Sequence, residues 1–246
     1  MNSSNGASIN FTPDSQISYS DAIKYWSSVP PTVDGVLGGF GYTSLPVTDA
    51  RGSVTFIRKA MRRNPEFERA SRDGDPRACD IGAGIGRVTR DVLSQVCIKV
   101  DLVEPVEPFA DQIEQELEKA NALEKLGTIY KIGMQDFTPQ QGHYWIIWCQ
   151  WCLGQLKDLD LVAFLRRCSA GLKKGGLIFV KENNATTDED EFDSTDSSVT
   201  RSDISFRSIF QMSGLKLLMA EEQMGLIAGL YPVRTYALQP IDYTES

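Results

Sequence analysis

ACDIGAGIGRVTR (78–90) decides the fold. Residues 78–81 read as a strand, residues 82–86 as a glycine-rich turn, and residues 86–96 as a helix with Val88, Val92, Leu93 and Val96 on one face. Glycines in such a turn let the chain bend sharply and let its backbone approach a ligand closely. Many nucleotide-binding folds use a turn of this kind, so the neighbouring segments must narrow the reading.

Outward from the turn, strand-like and helix-like segments alternate. Residues 98–104, 128–132, 144–149 and 177–181 have the apolar runs of buried strands. Residues 107–126 form a predicted helix with Phe109, Ile113 and Leu117 spaced four apart. A further helix, 160–172, is stopped by Lys173, Lys174 and the Gly175-Gly176 pair. This alternation implies an α/β fold, with a mostly parallel sheet and helices on both faces. The tail departs from it. After a helix at 205–212, two strands follow in succession, 215–220 and 233–238, and a hairpin there adds an antiparallel strand. The expected organisation is one domain over 1–246, with a Rossmann-like core at 77–240. Outside the core lie an N-terminal helical extension and lid, 1–63, and an acidic insertion, 183–201. The extension holds a helix containing Tyr25 and Trp26, then PPTVDGVLGGFG, then a helix near 53–61. Leu37-Gly38-Gly39 has the composition of a hinged lid tip.

Composition excludes several classes. The chain has 246 residues, 41% hydrophobic and 24% charged, and a net charge of −8. That balance suits cationic partners and argues against a broad basic face for nucleic acid. No run approaches the roughly 20 apolar residues of a membrane span. Residues 1–11 are polar and lack the apolar centre of a signal peptide, and a short disordered lead is expected there. The five cysteines, an odd number, suggest reduced thiols and a location in the cytoplasm or nucleus. Cys149 and Cys152 form a C-x-x-C inside WIIWCQWCLG, but without a second Cys/His pair it reads as two small buried side chains. No metal site is expected, and the single histidine, His143, lies in a turn.

Glu104 closes the second strand, in VDLVEP, 18 residues after Gly86. An acid there can accept hydrogen bonds from both hydroxyls of a ribose. Gly133-Met134-Gln135-Asp136-Phe137 leaves the third strand, and Gln150-Trp151 leaves the fourth.

At this point the chain resembles the protein α-N-terminal methyltransferases that act on proteins beginning Xaa-Pro-Lys. The matching stretches are YWSSVPPTVDGVLGGFG (25–41), DIGAGIGRVTR (80–90), MQDFTP (134–139), IWCQWCLGQL (147–156), FLRRC (164–168), VKENN (180–184), DSTDSSVTRSD (193–203) and LYPVRTYAL (230–238). The resemblance implies a class I methyltransferase fold with a seven-stranded sheet. It implies S-adenosyl-L-methionine as methyl donor, S-adenosyl-L-homocysteine as product, and protein N-termini, such as those of ribosomal proteins, as substrates once the initiator methionine is gone. It implies cofactor contacts at Gly82, Gly84, Arg87, Glu104, Met134, Gln135 and Gln150, with Trp26 closing the pocket and Arg87 pairing with the methionine carboxylate. The substrate channel would be lined by Leu37, Trp151, Gln155, Asn183, Asp193, Asp196, Ser198 and Tyr231. Asp196 would take the proton of the substrate amine and Asp193 hold the third-residue lysine. Asn183 would bond a backbone carbonyl, and Trp151 offer its face to the second-position proline. One position departs: members in animals carry histidine where this chain has Gln155, and glutamine cannot take a proton at neutral pH.

The chemistry suits a chain end. A protein α-amine has a reference pKa of about 7.7–8.0, against about 10.4 for lysine, so roughly a tenth of such amines are already neutral at pH 7. Alternative readings are a methyltransferase of a small molecule or nucleic acid, and a non-catalytic cofactor-binding homologue. Without the resemblance, Asp193 and Asp196 would read as caps of a following helix, and Trp26 and Trp151 as core aromatics.

Overall fold

The computed structural model describes residues 12–72 and 74–241. The expected lead at 1–11 lies outside the described residues.

The described residues begin with a short 3₁₀ turn, Pro13–Gln16, and α1, Tyr19–Ser28. The lid follows as α2, Val33–Val36, and then α3, Leu45–Arg63, and α4, Pro65–Arg72. The core alternates β1 (Arg77–Ile81), α5 (Arg87–Asp91), β2 (Lys99–Val103), α6 (Glu107–Ala110), α7 (Ile113–Lys119), β3 (Leu126–Tyr130), β4 (Tyr144–Gln150), α8 (Asp158–Gly171) and β5 (Leu172–Asn183). A hairpin of β6 (Glu191–Asp193) and β7 (Ser198–Thr200) precedes α9 (Asp203–Met212), β8 (Leu215–Glu222) and β9 (Val233–Pro240).

Seven strands form one sheet in the order β3-β2-β1-β4-β5-β9-β8. The first five are parallel, while β9 inserts antiparallel between β5 and β8, pairing Asn183 with Val233. The late hairpin therefore gives the one antiparallel strand, β9, while β8 at the edge runs parallel to the first five. β4 is buried along its whole length, as befits a central strand covered on both faces. One core cluster joins α3 and α4 to the sheet through Phe56, Phe67, Trp145 and Phe179; another packs α8 and α9 on the other face through Phe164, Phe206 and Phe210.

Several boundaries differ from the sequence reading. The helix expected at 107–126 is broken: α6 ends after one turn, and Asn121, in the left-handed region at φ 52°, stops the chain after α7. The helix expected at 86–96 ends at Asp91 and tightens into a 3₁₀ turn. The helix near 53–61 extends back to Leu45, because Leu45, Asp49, Ser53, Phe56 and Ala60 form one buried stripe. The acidic insertion is not an open loop but carries the β6–β7 hairpin. Neither Asp193 nor Asp196 caps α9; Ser202 does, accepting from the Ser205 N–H.

Candidate active site

The glycine turn is shaped by close approach. Gly82 has φ 62°, and a Cβ there would lie 2.4 Å from that of Cys152. Only glycine lets the β1 exit pass so near the β4 exit. Above this turn is a cavity of about 150 Å³, open to solvent at its mouth. Gly82, Gly84, Arg87, Glu104, Met134, Gln135, Gln150 and Trp26 all line it.

Glu104 is nearly sealed at its base. Its two carboxylate oxygens accept the N–H of Gly84 at 2.7 Å and that of Val106 at 2.8 Å. Burial pushes its carboxyl up to about 7, against the pull of those two N–H groups. Each oxygen keeps a further lone pair free to accept a hydrogen bond from a ligand. Met134 and Gln135 sit in a loop clamped by Arg167, which donates to the carbonyls of Met134 (3.1 Å), Gln135 (2.8 Å) and Phe137 (2.9 Å). Trp26 packs edge-on against Phe109 and beside Val33 and Val36, so α1 and the lid roof the cavity together. The lid is tied by Thr32, which accepts from the Gly35 N–H, and by Asp34, which accepts from the Gly41 N–H. Gly38 and Gly39, at φ 60° and 91°, turn its tip.

Beneath the cavity lies a charge cluster absent from the sequence reading. Asp49 is fully buried and accepts from Arg87 at 2.7 Å and from the Gln150 amide at 2.9 and 3.0 Å. Lys181, also fully buried, lies 2.5 Å from the same carboxylate. Burial alone would raise the Asp49 carboxyl, but Arg87 and Lys181 outweigh it and hold it below the ordinary value. Arg87 also lies over the Trp151 ring, 5.5 Å from its centre.

A second cleft adjoins the first, lined by Leu37, Trp151, Gln155, Asn183, Asp196, Ser198 and Tyr231. Trp26, Leu37, Trp151 and Gln155 line both spaces and so form the wall between them. Trp151 holds φ 53°, and Glu182 fixes this turn by accepting the N–H groups of Cys152 and Leu153, each at 2.9 Å. The adjoining hairpin is stitched down by Arg201, which donates to the carbonyls of Leu153 and Leu156 and to Asp158. Asp196 therefore meets Gln155, whose amide donates to it at 3.1 Å, while the Ser198 hydroxyl donates at 2.6 Å. Burial raises the Asp196 carboxyl, Ser198 and Gln155 oppose this, and Asp193 adds to it. Gln155 Oε1 and Trp151 Nε1 are buried without a partner among the described residues. Tyr231 donates to Glu191 and joins the hairpin to the loop before β9.

Asp193 stands apart from this group. It is exposed, accepts from the Thr195 N–H at 2.7 Å, and is not among the residues lining the cleft. Among the described residues no cluster of His, Cys, Asp or Glu could hold a metal, and no helix is long and apolar enough to cross a membrane. Cys149 and Cys152 are buried free thiols, and burial pushes both up.

A parallel sheet closed by this antiparallel pair, with a ligand cavity at the carboxyl ends of β1, β2 and β4, defines the class: S-adenosylmethionine-dependent methyltransferases of class I. Residues 14–239 match the family model described as AdoMet dependent proline di-methyltransferase, and the chain belongs to that family. It is 44% identical over 222 residues to alpha N-terminal protein methyltransferase 1 of Schizosaccharomyces pombe, covering 90% of this chain and 96% of the relative. It is 37% identical over 221 residues to N-terminal Xaa-Pro-Lys N-methyltransferase 1 of Xenopus tropicalis, covering 90% and 95%. A solved S-adenosylmethionine-dependent methyltransferase from Leishmania major superposes with a TM-score of 0.80 at 35% identity, over 90% of this chain and 82% of that one.

Proposed function

We propose that this chain methylates the free α-amine of proteins that begin Xaa-Pro-Lys after loss of the initiator methionine, ribosomal proteins among them. The observation that carries the reading is the shared wall: Trp26, Leu37, Trp151 and Gln155 separate the cavity over the glycine turn and Glu104 from a cleft that holds Asp196. S-adenosyl-L-methionine, when bound, supplies an electrophilic methyl on a sulfonium sulfur. Glu104 accepts from its ribose hydroxyls, Gly82 and Gly84 bring backbone close to it, and Met134 and Gln135 face the base. Arg87 offers its guanidinium to the carboxylate, a charge-assisted contact.

On the other side of the wall, Asp196 takes one proton from the α-ammonium, leaving a neutral nitrogen lone pair to attack. Two features support Asp196 in this role. Its carboxyl is raised by burial, which strengthens it as a base, and Gln155 and Ser198 fix its two oxygens. Gln155 donates to that base and cannot replace it. Trp151 supplies an apolar face for the proline, and Asn183 and Tyr231 edge the path of the following backbone. Asp193, exposed on the same hairpin, suits a substrate lysine held at the rim.

The test is incubation with labelled cofactor and a peptide beginning Ser-Pro-Lys or Pro-Pro-Lys. Label enters the α-nitrogen, and prior acetylation of that nitrogen abolishes it. Label entering the acetylated peptide would overturn the assignment.

A further inference from the structure

Asp49 belongs to α3, in the extension that precedes the Rossmann-like core, yet it sits directly behind Arg87 and Gln150, which line the cofactor cavity. Three side chains converge on its carboxylate: Arg87 and Gln150, which line the cavity, and Lys181, which does not. Lys181 is saturated, because it also donates to Ser53 Oγ at 2.9 Å and to Gln223 Oε1 at 3.2 Å. Gln150 is held at both ends, since its Oε1 accepts from Trp148 Nε1 at 3.1 Å. Arg87 gives only Nη1 to Asp49. A guanidinium has five N–H donors in a rigid fork, so one nitrogen gripped from behind sets where the others point. The cluster also has unequal charge: one carboxylate faces two cations. An anionic group in the ligand would add a partner for the guanidinium donors that Asp49 leaves free.

We propose that Asp49 is a positioning residue for the cofactor: by gripping Arg87 and Gln150 from α3, it aims the guanidinium at the carboxylate end of the ligand. This rests on the reading of Arg87 as partner to that carboxylate. The role is distinct from general support of the fold, because it concerns one end of the ligand only.

The test is calorimetric binding to the full chain of two ligands that share the nucleoside and the thioether. S-adenosyl-L-homocysteine carries the amino acid carboxylate; 5′-methylthioadenosine does not. Asp49→Asn is expected to weaken the first by about tenfold or more and the second by less than about twofold. Equal weakening of both, or of neither, would show a purely structural residue and overturn the proposal.

Asp49→Asn leaves two buried cations without a counter-charge, which endangers folding. Asp49→Asn combined with Lys181→Met keeps the net charge of the cluster unchanged and provides a second route to the same measurement. The same split between ligands is expected from it; recovery of full homocysteine-ligand affinity would mean that Asp49 acts only by balancing charge, against the proposal. Arg87→Gln alone tests the underlying contact. If it splits the two ligands while Asp49→Asn does not, only the positioning role fails. If Arg87→Gln produces no split, the contact itself is wrong and the positioning role fails with it.

Discussion

Glu104 must accept hydrogen bonds while sitting where charge is disfavoured. Its carboxyl is pushed up to about 7 by burial, so below that pH the ligand-free protein holds it protonated. A protonated carboxyl loses acceptor capacity, and the role proposed for Glu104, accepting from two ribose hydroxyls, then requires release of a proton. Cofactor affinity should therefore fall as pH drops below 7, by up to about tenfold per pH unit, and level off above it. Titration calorimetry at pH 6, 7 and 8 checks this, and Glu104→Gln should remove the trend while weakening binding at pH 8. Asp196→Asn should lower kcat by roughly 10²–10⁴ with cofactor affinity unchanged. A drop below twofold in a steady-state assay would remove Asp196 as the base. Residues of this kind were readable from sequence where a motif fixes both type and spacing: the glycine turn and Glu104 are such a pair. Asp49 was not, because its partner Arg87 lies 38 residues away and no motif links them. The available signal was an acid on the apolar stripe of a helix, Leu45-Asp49-Ser53-Phe56.

The β6–β7 hairpin shows why elements held by few apolar contacts are hard to read. Its sequence, EFDSTDSSVT, looks like solvated chain, and within β7 only Val199 is buried. Its hold comes from outside: Arg201 beneath it, and the Ser18 N–H, which donates to the hydroxyl of Ser197 at 2.8 Å where Ser197 adopts φ 58°. Such contacts join distant segments and leave no periodic trace. The long apolar strands β4 and β5, and the consecutive strands near the C-terminus, were legible because period and length alone mark them. Arg201→Met should free the hairpin from the β4 exit. It leaves carbonyls of Leu153 and Leu156 without their donor, and thermal unfolding should report a loss of about 2–4 kcal/mol. Peptide KM should rise more than cofactor KM, because the hairpin that Arg201 holds carries Asp196 and Ser198, which line the cleft and not the cofactor cavity. Equal changes in both would contradict that division.

For the whole molecule, the two halves of the chain meet at the ligand sites and not only in the core. The extension contributes Trp26 and Leu37 to the dividing wall, and Asp49 to the support behind Arg87. Sequence reading separated an extension from a core, since the alternation of strands and helices begins only near residue 77. Their joint construction of one site follows from tertiary packing that composition does not encode. On the proposed function, a single set of side chains thus stands in two binding equilibria. Whichever molecule docks first restrains the indoles and the lid tip, so the second arrives at a surface whose ordering has already occurred. By linkage, spent cofactor should tighten peptide binding by the same factor by which peptide tightens spent cofactor. Paired titrations of a Ser-Pro-Lys peptide and S-adenosyl-L-homocysteine, each with and without the other at saturation, give that factor from both directions. Independent affinities would mean that the partition is rigid before either guest arrives.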